Sequence, residues 1–435
     1  MNDKMPTGRL SRTLSSGKMA AKIGGNEMRY MMKRPFLSSE KQKTSRQELD
    51  RNNAKILFTG LSMLKGTALK AAQMLSFERE LLPDAFHKEL EKSYFQVPPI
   101  NRALVRKIIK TGLGEAPEKA FSNFDSKAFA AASLGQVHRA CSPQGDDLAV
   151  KIQYPDMKKT IDGDIRMLTA MVRPMADYDL IKAALDEIRD VLIAETDYCR
   201  EAKNIEHFRA HLNLERVKIP RVYPDLSTGN ILSMSYINGQ ILSQWLKTGP
   251  GQSQRNHVAQ TLNDIFIRGF YELNMIHADP NPGNFLVLDN LELGLLDFGC
   301  VRNVRLEFTE QYRALIRLGG TRDRSAYQNL LESMNFIHKD LAPQHVEEVL
   351  TAFMDFGAWI NQLFRREDFD FGSNPDFMSQ GHRLGRQMQK MRRHMKGFPP
   401  EFVFLDRTRY GLIRIYEQMG VKIRLRNEYE YNDAV

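Results

Sequence analysis

From Leu57 onward, apolar residues recur at three- and four-residue steps, at Leu61, Leu64, Ala68, Ala72 and Leu75, which predicts a helix packing one face onto a core. Lys70 and Gln73 share a different face of that helix. Pro98-Pro99 closes the helical region, and Gly112 and Gly114 separate a second short helix from the segment after it. Between Phe121 and Lys151 the pattern shortens to alternation. Val137-His138-Arg139-Ala140 and Leu148-Ala149-Val150-Lys151 flank Ser142-Pro143-Gln144-Gly145, which predicts a β-hairpin. Residues 154–180 predict an inserted helical segment, and Ile188, Val191, Tyr198, Ala202 and Ile205 mark one long helix after it. Arg221-Val222-Tyr223 and residues 231–237 predict strands closing a small sheet, with Asn238-Gly239 turning out of it. From Ile241 helical periodicity dominates, interrupted by two polar loops.

A chain of 435 residues is long enough for two core-bearing lobes and an appendage. Residues 1–55 hold thirteen basic and five acidic side chains, and the remainder holds 49 against 48, so the basic excess belongs to the N-terminal arm. Such an arm suits an anionic membrane, a mitochondrial address or nucleic acid; the plainest reading of residues 1–51 is a solvated, flexible tail. Cys141, Cys199 and Cys300 are odd in number and lack C-x-x-C spacing, which argues against a disulfide framework or a zinc site. No run of eighteen apolar residues is present, so no span of a bilayer is expected.

The two polar loops carry the chemistry. His277-Ala278-Asp279-Pro280-Asn281-Pro282-Gly283-Asn284 is followed, eighteen residues after Asp279, by Asp297-Phe298-Gly299. This is the spacing by which protein-kinase-like folds hold a nucleotide's metal ions. Asp279 takes the position of the catalytic-loop aspartate, which orients a nucleophile or accepts its proton, and Asn284 and Asp297 supply oxygen ligands for Mg²⁺. His277 is expected to buttress the loop.

A nucleotide lid reads G-x-G-x-x-G-x-V, and Ala130, Ala131, Ala132, Ser133, Leu134, Gly135, Gln136 and Val137 fit that frame with its first two glycines replaced by alanine. The extra Cβ atoms predict a stiffer lid with an altered phosphate cradle. Fourteen residues after Val137, Lys151 ends an apolar run where a kinase fold puts the lysine that neutralises α- and β-phosphates, with Glu201 on the next long helix to hold its ammonium. Glu195 falls inside the apolar stripe of that helix, so it needs a cationic partner of its own. Six residues separate it from Glu201, about 120° around a helix, so a second lysine is implied, and Lys70 is the natural one. Ala278 and Asn281 stand where protein kinases put an arginine and a lysine, and no A-P-E follows Asp297, which makes a small molecule, a lipid or water a better acceptor than a peptide.

Taken together, these residues resemble the UbiB family of atypical kinase-like ATPases, from about Leu57 to at least Arg302. The matching features are K-A-A-Q at Lys70 to Gln73, A-A-A-S at Ala130 to Ser133, Lys151, Glu195-Thr196-Asp197, Glu201, the Asp279 to Asn284 loop and Asp297-Phe298-Gly299. Ala72 departs from the family's K-x-G-Q signature. The resemblance implies an early helix covering the nucleotide cleft, with Lys70 meeting Glu195 and Asp197 as a regulatory set with Gln73. It also implies ATP and Mg²⁺ as cofactors and a role supporting ubiquinone (coenzyme Q) biosynthesis. Membrane lipids, quinone precursors and ubiquinone-biosynthesis proteins are the implied partners, with no nucleic acid, at a bacterial inner membrane or the matrix side of the mitochondrial one.

The expected fold is α+β and bilobal, with a flexible arm over 1–51, a helical extension over 52–115, a small β-rich N-lobe with a helical insert over 116–240, and a helical C-lobe over 241–435. Two other functions fit parts of the pattern: a small-molecule phosphotransferase, because the Asp279 loop also resembles that of aminoglycoside and choline kinases, and a membrane scaffold that binds nucleotide without turnover. Residues 383–396, where Met388, Met391 and Met395 interleave with Arg386, Lys390, Arg392 and Arg393, offer a second basic membrane surface, although an ordinary surface helix is the simpler reading.

Overall fold

The computed structural model describes residues 9–62, 70–71, 100–132, 134–175, 178–337, 340–391 and 394–431. Gln73, Ser133 and most of the 52–115 extension lie outside them. The chain forms two compact units. One holds the chain up to Arg200 together with Val222–Tyr236, and the other holds Glu201–Arg221 and the chain from Ile237.

The sheet of the first unit comes from the alternating segment. Strands β1 (Asn123–Phe124), β2 (Ala130–Ala132), β3 (Gly135–Cys141) and β4 (Asp147–Gln153) are joined by Ile231–Ser235, and all pairings are antiparallel. The predicted hairpin is β3 with β4, in a register that sets Val137 opposite Lys151. Leu148, Val150 and Ile152 of β4 point into a core shared with Ile231 and Ala140. The helix Arg102–Leu113 covers that core with Val105, Ile108 and Ile109, an i, i+3, i+4 set, and Asn101 caps it by accepting from Leu104 N at 2.8 Å.

The basic arm is not a loose tail over its described part. Residues 9–62 form two helices, Arg9–Lys33 and Ser39–Ser62, so the expected boundary at residue 51 falls inside a helix. Ile23, Leu49, Ala54 and Leu57 are buried along the hairpin, and the first helix packs against Met157–Val172 of the predicted insert. A hydropathy reading misses this seam because half of it is polar. Arg46 reaches Glu27 at 3.0 Å and Asp50 at 3.1 Å, and Asn53 donates to Glu27.

A second correction concerns the helix expected to carry both Glu195 and Glu201. The chain forms two helices there, Tyr178–Ala194 and Tyr198–His211. Thr196 turns its hydroxyl back onto Ile193 O at 2.6 Å, and Asp197 restarts the helix by accepting from Arg200 N at 3.1 Å. Short polar side chains that bond the local backbone compete with helix continuation, and that competition wins over the apolar stripe at this point.

The second unit is mostly helical, as the periodicity predicts. Gln252–Tyr271 runs through its centre, with eleven buried residues, beside Pro400–Met419. A four-stranded sheet in the order Val217–Lys218, Leu293–Leu295, Phe285–Val287, Gln240–Ile241 and a two-stranded pairing of Met275–His277 with Val301–Asn303 hold the two polar loops. No helix among the described residues is long and apolar enough to cross a membrane. The helix Phe377–Met391 turns its methionines inward, with Met388 and Met391 half-buried, and Met395 beyond it is buried, as an ordinary surface helix would.

Candidate functional site

In the second unit, the two loops leave neighbouring strands. Phe285 pairs with Leu295, and Asn284 O accepts from Leu296 N at 3.1 Å, so Asn284 stands opposite Leu296 and Asp297 is one residue further on. Asn284 closes a short 3₁₀ turn that begins at Pro282, where a residue without an N–H donor costs nothing. Asn281 fixes that turn by accepting from Gly283 N at 2.9 Å.

The Asn284 amide has a determined direction. Its Nδ2 donates to the Asp279 carboxylate at 2.9 Å and to the Asp279 carbonyl at 3.1 Å, acceptors that only an amide nitrogen can satisfy. The amide oxygen is thereby left for another partner. Asp297 uses Oδ1 to accept from Gly299 N at 2.9 Å, which fixes its carboxylate relative to the backbone. An amide oxygen and a carboxylate one register step apart are hard oxygen donors, the set that Mg²⁺ takes, so these residues fit the expected ion.

His277 is buried and donates from Nε2 to the Asp297 carbonyl, while its ring meets Phe298 edge-on at 5.7 Å. It braces one loop against the other. Phe298 is also held from the helix Tyr198–His211: Asn204 donates to its carbonyl at 3.0 Å, and Phe208 lies against its ring at 5.4 Å. Glu201 is buried on that same helix. Another contact supports the first loop from Pro400–Met419, where a Cβ at Gly411 would lie 2.2 Å from Pro280 Cγ. Neither Asn204 nor Gly411 was singled out by sequence; the signal available for Gly411 was an isolated glycine inside a strong helical pattern.

In the first unit, Ala130, Ala131 and Ala132 form β2 and pair with Val137, Gln136 and Gly135, so the alanine segment is half of a tight hairpin. Gly135 is required by contact: a Cβ there would fall 2.2 Å from Ile152 O of β4. Next to it, Gln136 and His138 are buried in a chain of hydrogen bonds. Ile100 N donates to Gln136 Oε1 at 2.9 Å, Gln136 Nε2 donates to His138 Nε2 at 2.8 Å, and His138 Nδ1 donates to Asp125 O at 2.8 Å. Burial pushes the His138 imidazole below its ordinary pKa, with the Asp125 carbonyl opposing.

Lys151 is buried on β4 with its ammonium 5.1 Å from the centre of the Tyr198 ring. Lys70, one of the described residues of the extension, is paired with Glu195, as the stripe argument required. Asp197 is exposed and caps the next helix. One further cluster among the described residues could attract a metal: His345, Glu348 and His394. The two imidazoles stack at 3.8 Å and 16°, which sets their in-plane lone pairs side by side and not toward one point.

Residues 94–331 match the ABC1 atypical kinase-like domain. Among curated proteins, the chain is similar to the mitochondrial atypical kinase COQ8B of Danio rerio, at 27% identity over 98% of this chain and 68% of that one. The mitochondrial atypical kinase COQ8 of Saccharomyces cerevisiae is 28% identical over 84% of this chain and 75% of its own. A probable serine/threonine-protein kinase, abkA of Dictyostelium discoideum, is 29% identical, and the chain spans 60% of its length. Among solved structures, the complex of Rv3197 with erythromycin from Mycobacterium tuberculosis superposes with a TM-score of 0.58 at 24% identity, covering 88% of this chain and 96% of that one, which shows a shared kinase-like α+β fold. With the domain match spanning more than half of its length, the chain belongs to the ABC1 atypical kinase-like family, the UbiB family.

Proposed function

We propose that this protein is a Mg²⁺-dependent ATPase of the atypical kinase kind, supporting ubiquinone biosynthesis by acting at a membrane on lipid intermediates or on the biosynthetic proteins. The observation that carries this reading is the pair of loops in the second unit, where Asn284 and Asp297 are set one register step apart and Asn284 is tied to Asp279. A bound divalent ion supplies charge neutralisation on the phosphates. In this reading Asn284 and Asp297 hold the ion, Asp279 orients the attacking group and accepts its proton, and Lys151 carries the α- and β-phosphates. Glu201 is the carboxylate that the resemblance assigns to that lysine. Phosphoryl transfer asks little more of a protein than positioning and charge. The acceptor is water or a lipid. Attachment is peripheral, at the mitochondrial or bacterial inner membrane; the two COQ8 relatives carry a mitochondrial designation.

The test is ATP turnover by the purified chain, with and without anionic liposomes and phenolic quinone precursors, repeated for Lys151→Ala and Asp297→Asn. Release of free phosphate that both substitutions abolish supports the proposal. Phosphate arriving on a soluble acceptor would move the reading to a small-molecule phosphotransferase. Nucleotide-dependent thermal stabilisation without turnover would leave a scaffold that binds nucleotide.

A further inference from the structure

Six large apolar side chains are conspicuously exposed among the described residues, and four of them fall within nine residues: Met28 at 65%, Met31 at 69%, Met32 at 69% and Phe36 at 88%. Met28, Met31 and Met32 occupy one face of the first helix by their i, i+3, i+4 spacing, at its C-terminal end, and Phe36 closes the adjoining 3₁₀ turn. Their outward direction is fixed by what the opposite face does. Glu27 and Tyr30 turn toward the second helix, where Arg46 bonds the Glu27 carboxylate and lies over the Tyr30 ring at 5.7 Å. Asn26 donates to Asn53 at 3.0 Å on the same seam. The turn is itself tied down, because Gln42 Nε2 donates to Arg34 O at 3.1 Å and to Leu37 O at 2.9 Å.

The charges around this apolar tip are predominantly positive. Arg29, Lys33, Arg34, Lys41 and Lys43 are all exposed between residues 28 and 43, against the single acid Glu40. We propose that the hairpin tip, Met28, Met31, Met32 and Phe36 within that cationic ring, docks on the surface of an anionic lipid bilayer. Apolar side chains of this size enter the boundary between headgroups and acyl chains, and the surrounding cations meet the headgroup charge. Self-association through the same face is disfavoured, because it would bring two rings of like charge together. The inference rests on the proposed work at a membrane and is independent of nucleotide turnover, since every residue it uses lies in the first two helices and the turn between them.

The test uses the full chain without nucleotide, floated with phosphatidylcholine vesicles and with vesicles that also contain phosphatidylglycerol. The parent should partition onto the anionic vesicles and leave them at high salt. Changing Met28, Met31, Met32 and Phe36 to Ser together should weaken partitioning at least tenfold, and each of Arg29→Gln, Lys33→Gln and Arg34→Gln should weaken it roughly fivefold. A Phe36→Trp chain gives a second readout, because Trp245 and Trp359 are buried: the emission of the introduced indole should shift to the blue and be quenched by brominated lipid. Unchanged thermal stability of the variants shows that the hairpin still folds. Equal partitioning of parent and serine variant, an unshifted emission from the Phe36→Trp chain, or a parent dimer that the serine variant dissociates would each overturn the proposal. Failure of ATP turnover with tip docking intact would overturn only the catalytic reading.

Discussion

The ammonium of Lys70 is bonded to the carboxylate of Glu195, joining residues 125 positions apart at a place where both side chains are largely withdrawn from water. Glu195 sits in the turn between two helices, among Val191, Leu192 and Tyr198, which are buried. Removing one member of a buried pair leaves the other as a desolvated charge, which costs about 3–5 kcal/mol, more than the pair itself contributes. Lys70→Met should therefore lower the denaturant midpoint strongly. Lys70→Met with Glu195→Leu should recover most of the loss, and equal destabilisation by the single and double changes would rule out this account of the pair.

Asn284 closes its own loop onto Asp279 through the amide nitrogen and leaves the amide oxygen for another partner. Its nitrogen is used by Asp279, so Asn284→Asp would set two carboxylates against each other at hydrogen-bond range, whereas Asn284→Ala merely loses the contact. Both changes should raise the Mg²⁺ concentration needed for nucleotide-dependent thermal stabilisation, by about tenfold or more for loss of one such ligand interaction. The aspartate should also lower stability without nucleotide. A normal metal requirement for Asn284→Ala would remove Asn284 from the ion site.

The loops were legible because their chemistry is compressed into short segments. Spacing alone singled out Asp279, Asn284 and Asp297 as candidates, and the β3 and β4 pairing followed from alternation around Ser142-Pro143-Gln144-Gly145. Lys70 with Glu195 was legible for a different reason, since a carboxylate in an apolar stripe demands a cation. What escaped were features made by two distant segments, or by polar residues acting as core. The Arg46 network that organises residues 9–62 looks like a solvated surface in sequence. Arg409 and Glu430 are likewise buried as a pair, with Tyr271 donating to the same carboxylate at 3.0 Å, where an arginine in a helical pattern reads as exposed. The break at Thr196 and Asp197 was hidden because both flanking helices share one apolar phase.

His138 makes stability depend on pH. Its Nδ1 proton goes to Asp125 O and its Nε2 accepts from Gln136, so the neutral ring is fully satisfied and protonation would set an N–H against an amide N–H. Burial lowers the folded pKa below the ordinary 6.5. Between that folded value and 6.5 the unfolded chain binds a proton that the native chain does not. This contribution is thus full above pH 6.5 and is lost as the pH falls through the window. Denaturant midpoints measured from about pH 7 down to about pH 5 should fall for the parent and be flatter for His138→Gln. Parallel curves would show that His138 does not titrate in this way.

Gly411 supports the Asp279 loop through close packing on Pro280. A methyl at this point of the helix Pro400–Met419 would lie 2.2 Å from Pro280 Cγ and 3.0 Å from Pro280 Cβ, distances that side chains do not tolerate. Either the helix or the loop must move. The helix is anchored by Leu405, Leu412, Ile413, Ile415 and Tyr416, all buried, whereas Pro280 belongs to a turn held by the few hydrogen bonds of Asn281 and Asn284. The loop should give way, carrying Asp279 with it, and an ångström of misplacement at a reacting group can cost about a hundredfold in rate. Gly411→Ala should therefore lower the turnover number far more than it lowers the melting temperature, with little change in the apparent affinity for nucleotide. A parallel loss of stability and nucleotide affinity would instead show that the helix, and not the loop, had yielded.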